Sequence, residues 1–247
     1  MGRPVRVAAV GDVHVGLDSG PVLGPPERLR EDADVLLLAG DLTRFGTAAE
    51  AGVLARELAE LDGLPVVAVL GNHDFESDEA DRVAEAIGDA GATVLDGDGT
   101  TIGVDGVCIG IAGTPGFGGG FVGAAGSEFG EPTMKAFVRR TRDMADALAG
   151  ALDGLTCDIR VALTHYAPVP ETLQGERPEI FPFLGSYLLA EAIDRGRADL
   201  AIHGHAHRGS RRGRTPCGVP VRNVAQPLLG RPYTVLRLDA DGLRDER

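Results

Sequence analysis

Val5-Arg6-Val7-Ala8-Ala9-Val10-Gly11-Asp12-Val13-His14 is the stretch from which the rest of the chain can be read. A run of strand length, apolar except for Arg6, stops at a glycine and releases an aspartate and a histidine. The same grammar returns four times. Val35–Ala39 runs into Gly40-Asp41, and Val66–Leu70 into Gly71-Asn72-His73-Asp74. Ile159–Leu163 runs into Thr164-His165, and Leu200–Ile202 into His203-Gly204-His205-Ala206-His207. Continuous rather than alternating apolarity predicts strands buried on both faces, in a sheet covered on each side. All six histidines lie in these segments or at their margins, a placement that scattered surface histidines would not take.

In open α/β sheets the ligand site lies beyond the carboxyl ends of the strands. The five runs deliver Asp12 and His14, Asp41, Asn72 and His73, His165, and His205 and His207 to such an edge. Imidazole nitrogen with carboxylate or amide oxygen suits borderline and harder divalent ions such as Zn, Mn and Fe(II). Seven candidate ligands (Asp12, His14, Asp41, Asn72, His165, His205 and His207) exceed what one tetrahedral ion takes. They suit two ions sharing a carboxylate. Gly11, Gly40, Gly71 and Gly204 each precede a candidate ligand, where a residue without Cβ lets the chain turn and approach an ion.

Between the runs lie helical patterns. Thr47–Leu61 opens on Thr47 and Glu50 at capping-box spacing and carries the stripe Leu54, Leu58, Leu61. Ser77–Ala90 has Ser77 as its expected N-cap, the stripe Val83, Ile87, Ala90, and Gly91 as a stop. Pro132–Leu152 is a third helix with a break expected near Gly150, and Leu184–Arg195 a fourth. Strand-helix-strand order through residue 70 predicts parallel pairing. Thr93–Leu95, Thr101–Val104 and Val107–Ala112 read as short strands joined by hairpin turns at Asp96–Gly99 and Asp105-Gly106. Val219–Ala225 and Tyr233–Leu238 read as further strands with no helix between them. Residues 114–131, rich in glycine, and 166–183, with prolines and aromatics, are two long loops; either is a functional wall or a surface excursion. The first lacks the Gly-Lys-Ser/Thr ending of a P-loop.

As a set, these motifs resemble the calcineurin-like metallophosphoesterases, in their compact bacterial-type form. The matching segments are Gly11-Asp12-Val13-His14, Gly40-Asp41, Gly71-Asn72-His73-Asp74, Thr164-His165 and Gly204-His205-Ala206-His207. The resemblance implies an α/β fold, a four-layer α/β/β/α sandwich of two mixed sheets flanked by helices. It also implies a dinuclear site of two divalent ions, Mn, Fe or Zn. Carried over by motif, Asp12, His14 and His207 would bind the first ion and Asn72, His165 and His205 the second, with Asp41 bridging both. His73 matches the catalytic histidine that contacts substrate and is not a ligand. His203 matches no ligand and reads as a strand residue. The implied activity is hydrolysis of small phosphodiesters or phosphomonoesters by a hydroxide held between the two ions.

The chain departs from the protein Ser/Thr phosphatases of that superfamily. Gly40-Asp41-Leu42-Thr43-Arg44-Phe45-Gly46 lacks their Asp-Arg pair, and the glycine usual after the first Asp-x-His is displaced to Gly16. That argues against a phosphoprotein substrate. Arg44 and Arg208 are the nearest arginines that could hold a phosphate oxygen; solvent exposure is the plainer reading of each. Asp74 either orients His73 or has a structural role.

The 247 residues fit one metallophosphoesterase domain over 1–247. Net charge is −13, which repels phosphate backbones and makes a nucleic-acid partner a poor fit. The arginines of 208–214 read as a solvated loop. Three cysteines, odd in number and far apart, suit a reducing compartment. No stretch reaches the roughly 18 to 20 apolar residues of a membrane span, and no signal peptide is recognisable. A soluble, cytoplasmic enzyme without membrane contact is expected. Two other readings stand beside it: a non-catalytic metal-binding scaffold on the same fold, and a nuclease.

Overall fold

The computed structural model describes residues 3–239 and 242–246. Among these, the strands numbered in chain order form two six-stranded sheets and one small ribbon. The first sheet holds β1 (Val5–Val10), β2 (Val35–Ala39), β3 (Val66–Val69), β4 (Ala92–Val94), β13 (Thr234–Asp239) and β14 (Gly242–Glu246), in the order β14-β13-β1-β2-β3-β4. The second holds β5 (Asp98–Val104), β6 (Val107–Thr114), β9 (Ile159–Thr164), β10 (Leu200–His203), β11 (Arg212–Arg214) and β12 (Pro220–Asn223), in the order β11-β12-β10-β9-β6-β5. β7 (Gly120–Phe121) and β8 (Ala124–Ala125) pair within the glycine-rich loop. Both large sheets are mixed. β1, β2, β3 and β4 run parallel, with β13 antiparallel to β1. β6, β9, β10 and β12 run parallel, with β5 and β11 antiparallel at the edges.

Strand alternation accounts for the layers. In β1 and β2, Ala8, Val10, Leu36 and Leu38 face outward onto helices α1 (Pro26–Asp32), α2 (Ala48–Ala59) and α3 (Ala80–Asp89), meeting Leu29, Leu54 and Ile87. Val5, Val7, Val35 and Leu37 face inward and meet Ile109, Val161 and Ile202 of the second sheet. That sheet turns Ala112, Ala162 and Ala201 outward to Leu148 and Leu152 of α4 (Pro132–Gly154) and Ile193 of α6 (Tyr187–Arg195). The expected α/β/β/α sandwich is therefore present, and the central strands β1, β2, β3, β9 and β10 bury both faces because each lies between two layers. Fully burying one such leucine contributes about 1.5–3 kcal/mol.

Local expectations divide. Thr47 caps α2, its hydroxyl accepting from Glu50 N at 3.3 Å while Glu50 Oε2 accepts from Thr47 N at 3.3 Å. Asp105 and Gly106 both have positive φ, 48° and 85°, as a two-residue hairpin turn requires. Five readings need correction. Ser77 does not cap α3: its hydroxyl donates to Phe45 O at 2.6 Å, and the helix begins at Ala80. Gly150 does not break α4, because Leu148 and Leu152 on either side are fully buried and their packing outweighs one helical glycine. Asp96–Gly99 is no hairpin: β4 ends in the first sheet and β5 begins in the second, so this turn carries the chain across the sandwich. The helix expected over 184–195 is two, α5 (Phe181–Leu184) and α6, separated by Gly185 and the N-cap Ser186. Likewise α7 (Gln226–Leu229) intervenes between β12 and β13, which belong to different sheets.

Candidate metal centre

The carboxyl ends of β1, β2 and β3 in one sheet and of β9 and β10 in the other open onto the same place. Turns there hold non-glycine residues in the left-handed region: Asp12 (φ 57°), His14 (44°), Asp41 (50°) and His205 (69°). That backbone is costly for residues with a Cβ, and is kept where surrounding contacts over-determine it. Here the contacts are visible. His14 N donates to Asp41 O at 3.1 Å, and both Asp12 oxygens accept from His205 N at 2.9 and 3.0 Å.

Two glycines make the approach possible. A Cβ at Gly71 would lie 2.3 Å from both the backbone nitrogen and Oδ1 of Asp41. One at Gly40, whose φ is +80°, would lie 2.6 Å from the His165 ring. Asp74 supplies the matching clamp. Fully buried, it accepts from Gly71 N (2.8 Å), Leu42 N (3.1 Å), Thr43 N (2.8 Å) and Thr43 Oγ1 (2.6 Å). It ties the Asp41 turn to the Asn72 turn, and none of these bonds goes to the His73 ring, so its role is structural.

Potential ligand atoms converge in two groups that share one residue. Asp12, His14, Asp41 and His207 form the first, and Asp41, His165 and His205 the second. His207 Nε2 lies 2.9 Å from Asp12 Oδ1 and 3.4 Å from His14 Nε2; His14 Nε2 lies 3.7 Å from Asp41 Oδ2. On the other side His165 Nε2 lies 3.3 Å from Asp41 Oδ1 and 3.0 Å from Asn72 Oδ1. The two Asp41 oxygens thus face different histidines. All seven residues singled out as ligands, together with His73, meet here. His203 does not: it is the last residue of β10, buried, with Nε2 2.8 Å from Thr172 Oγ1.

Backbone carbonyls set which ring nitrogens point inward. His165 Nδ1 is 2.9 Å from Ala39 O, His205 Nε2 3.3 Å from Phe183 O, and His73 Nδ1 2.8 Å from Arg44 O. A neutral imidazole carries one N–H; giving it to a carbonyl leaves the other nitrogen as a lone-pair donor. Burial keeps the rings neutral, lowering His165 and His205 to about 3 and His14 to about 4. Burial raises Asp12 to about 6 against the pull of His207, and the hydrogen bond to Asp12 raises His207. Neutral imidazoles with inward lone pairs, an amide oxygen and two buried carboxylates fit divalent cations.

The mouth opens on the first group. His207 and His73 side chains are 39% and 38% exposed, whereas His165 is 0%. His73 Nε2 stands 4.0 Å from Asp41 Oδ2, with its ring edge-on to His14 at 4.6 Å. Arg44 pairs with Asp18 at 3.1 Å at the margin, and Arg208 is exposed. Beside Asn72 a cavity of about 260 Å³ is walled by Phe75, Phe117, Met144 and Tyr166, with Arg140 among its lining.

Residues 5–209 match the family model described as calcineurin-like phosphoesterase. Among solved structures, the phosphopantetheinyl hydrolase of Mycobacterium tuberculosis is similar at 17% identity, over 91% of this chain and 90% of that one, with a TM-score of 0.62. TT1561 of Thermus thermophilus is similar at 18% identity, over 99% and 98%, with a TM-score of 0.56. At such identities the likeness is one of fold. No curated protein sequence matches the chain.

Proposed function

The chain belongs to the calcineurin-like phosphoesterase family, and on that premise we propose that it is a dinuclear metal-dependent hydrolase of small phosphodiesters or phosphomonoesters. The observation that carries the reading is Asp41, shared by both convergent groups with one oxygen toward each. Asp12, His14 and His207 would hold one ion; Asn72, His165 and His205 would hold the other. When bound, two divalent ions, Mn, Fe or Zn, supply positive charge for a phosphoryl group and acidify water to a pKa of about 7.

The chain's own residues do the rest. Asp41 would hold both ions, and the clamp from Asp74 fixes Asp41's turn. The Ala39 and Phe183 carbonyls hold the His165 and His205 rings in one tautomer and one orientation. With Nδ1 committed to the Arg44 carbonyl, His73 turns Nε2 to the open mouth. There, as an imidazolium carrying a second N–H on Nε2, it would donate to a phosphoryl oxygen or pass that proton to the leaving alkoxide and be left neutral.

The test is turnover of bis(p-nitrophenyl) phosphate and p-nitrophenyl phosphate with added Mn²⁺, against an EDTA control. Activity is expected with metal, none with EDTA, and none in a folded Asp41→Asn variant. Full activity in that variant would sink the dinuclear reading.

A further inference from the structure

The cavity of about 260 Å³ beside Asn72 shares a wall with the metal centre. Asn72, whose Oδ1 lies 3.0 Å from His165 Nε2, lines it directly. Tyr166 lines it too, and its ring centroid is 4.5 Å from that of His205 and 5.6 Å from that of His165. Another side comes from the glycine-rich loop, which is fastened to the same ligand turn. The Pro115 carbonyl accepts from His165 N at 2.9 Å and from Tyr166 N at 3.0 Å. Phe117 thereby comes to 5.8 Å from the Tyr166 ring. A Cβ at Gly116, whose φ is +75°, would lie 3.3 Å from Tyr166 Cβ, so a glycine lets the loop pass this close.

The lining is aromatic and nearly uncharged. Phe75, Phe117 and Tyr166 contribute rings, the buried Met144 of α4 adds a thioether, and Arg140 of α4 is the one charged residue. Arg140 is exposed and makes no side-chain hydrogen bond or ion pair with the described residues. Its charge reaches the Tyr166 phenol, opposing the burial that raises that group to about 12. Pockets that enclose a whole ligand run to about 300–1,000 Å³, so this one suits part of a ligand. Rings attract rings beyond what burial alone gives, and a thioether sulfur favours a ring's edge. A free guanidinium offers planar N–H donors to an acceptor carried on such a ring.

We propose that this pocket takes an aromatic ring from the organic part of the substrate, so that the preferred substrates are aryl or heteroaryl phosphoesters with an acceptor or anionic group on the ring for Arg140. The assignment rests on the phosphoester reading above. Asn72 selects a substrate group as the occupant, because it belongs at once to the expected ligands of the second ion and to the pocket wall.

The experiment is calorimetric titration of the Mn²⁺-loaded protein with methyl-, cyclohexyl-, phenyl- and 4-carboxyphenylphosphonate, none of which is a phosphoester. Burial of as little as two methylene equivalents of the ring predicts phenyl over methyl by ~15-fold. Ring pairing predicts phenyl over cyclohexyl, a ring of similar size without π faces, by ~2–12-fold. That second ratio is expected to fall toward one in Phe75→Leu, at an exposed position, and in Phe117→Leu. The carboxyl group is expected to tighten binding by ~2–5-fold in the native protein and not in Arg140→Met. Equal binding of the phenyl and cyclohexyl compounds, binding of neither, or a phenyl preference unchanged in both phenylalanine variants overturns the proposal. A carboxyl effect that is absent from the native protein, or that survives in Arg140→Met, overturns the place given to Arg140. Failure of the phosphoesterase reading shows separately, as absent turnover of bis(p-nitrophenyl) phosphate, while the phenyl-to-cyclohexyl ratio still reports on the pocket.

Discussion

Replacing Gly71 by alanine adds one carbon and is expected to dismantle the centre. The new Cβ falls 2.3 Å from Asp41 N, 2.3 Å from Asp41 Oδ1 and 2.9 Å from Asp41 Cγ. The conflict involves backbone as well as carboxylate, so a rotamer change cannot relieve it. Nor is Asp41 free to drift: its carbonyl accepts from His14 N at 3.1 Å, and its Oδ1 accepts from His73 N at 2.8 Å. Restoring ordinary contact takes a displacement of roughly 1 Å, against a ligand-distance tolerance of about 0.2 Å. Overpacking of this kind costs about 1–3 kcal/mol, which lowers the melting temperature of a chain this long by about 2–12 °C. Metal affinity should fall by at least about 10–100-fold, the usual consequence of losing a ligand's support. Gly52→Ala is the control. It lies inside α2 with no atom within 4 Å of its added Cβ, and should gain about 0.5–1 kcal/mol. Calorimetric Mn²⁺ titration and thermal melting followed by circular dichroism read both effects. A Gly71→Ala protein that binds two ions with unchanged affinity would refute the close packing of Gly71 on Asp41.

Other outcomes are equally open to measurement. His73→Ala should keep its metal content, by elemental analysis, and lose about 10²–10⁴-fold in turnover; lost ions would make His73 a ligand instead. Asn72→Ala should lose both turnover and one ion while still folding, and a stoichiometry of two in that variant would remove Asn72 from the ligand set. In EDTA, stability should fall as pH drops from 6.5 toward 3. His165, His203 and His205 are held at about 3 and His14 at about 4 by burial, so the unfolded chain takes up protons that the native rings refuse. Asp12 and Asp74, raised to about 6 by burial, oppose this by binding protons in the native state. At pH 5 the four rings outnumber the two carboxyls, so unfolding still takes up protons and stability in denaturant melts falls as the pH falls. A flat profile between pH 6 and 4 would show that those rings are not buried neutral.

Much of the fold is legible in the chain because its strands lie between layers. Val35–Ala39 is apolar throughout for that reason, and a surface strand would have alternated. Thr47 and Glu50 are legible because both partners of the cap lie within one turn of each other. The misread elements share a different cause. Ser77 has the right chemistry for an N-cap, but its hydroxyl is taken by Phe45 O, thirty-two residues away in sequence. Asp96–Gly99 has hairpin chemistry, and a turn between sheets uses the same residues; the partner strand decides, and β4 pairs with β3 while β5 pairs with β6. The joining of the two long loops is not legible at all, since Gly119 N donates to Pro182 O at 2.7 Å between segments far apart in sequence.

The centre itself shows where residue type stops being informative. Its side chains are all marked by motif, but the carbonyls that aim the rings belong to Ala39, Arg44 and Phe183, whose side chains give no hint of the task. Asp41 and Asp74 make the point most sharply. Both are buried aspartates in glycine-led turns at the end of neighbouring strands. Asp74 has both oxygens consumed by four donors from the turns around it, leaving nothing to offer an ion. Asp41 accepts one backbone N–H and otherwise faces ring nitrogens at 3.3 and 3.7 Å on opposite sides. The satisfaction of one carboxylate by the backbone is what frees the other, held in place by it, to face both groups of histidines.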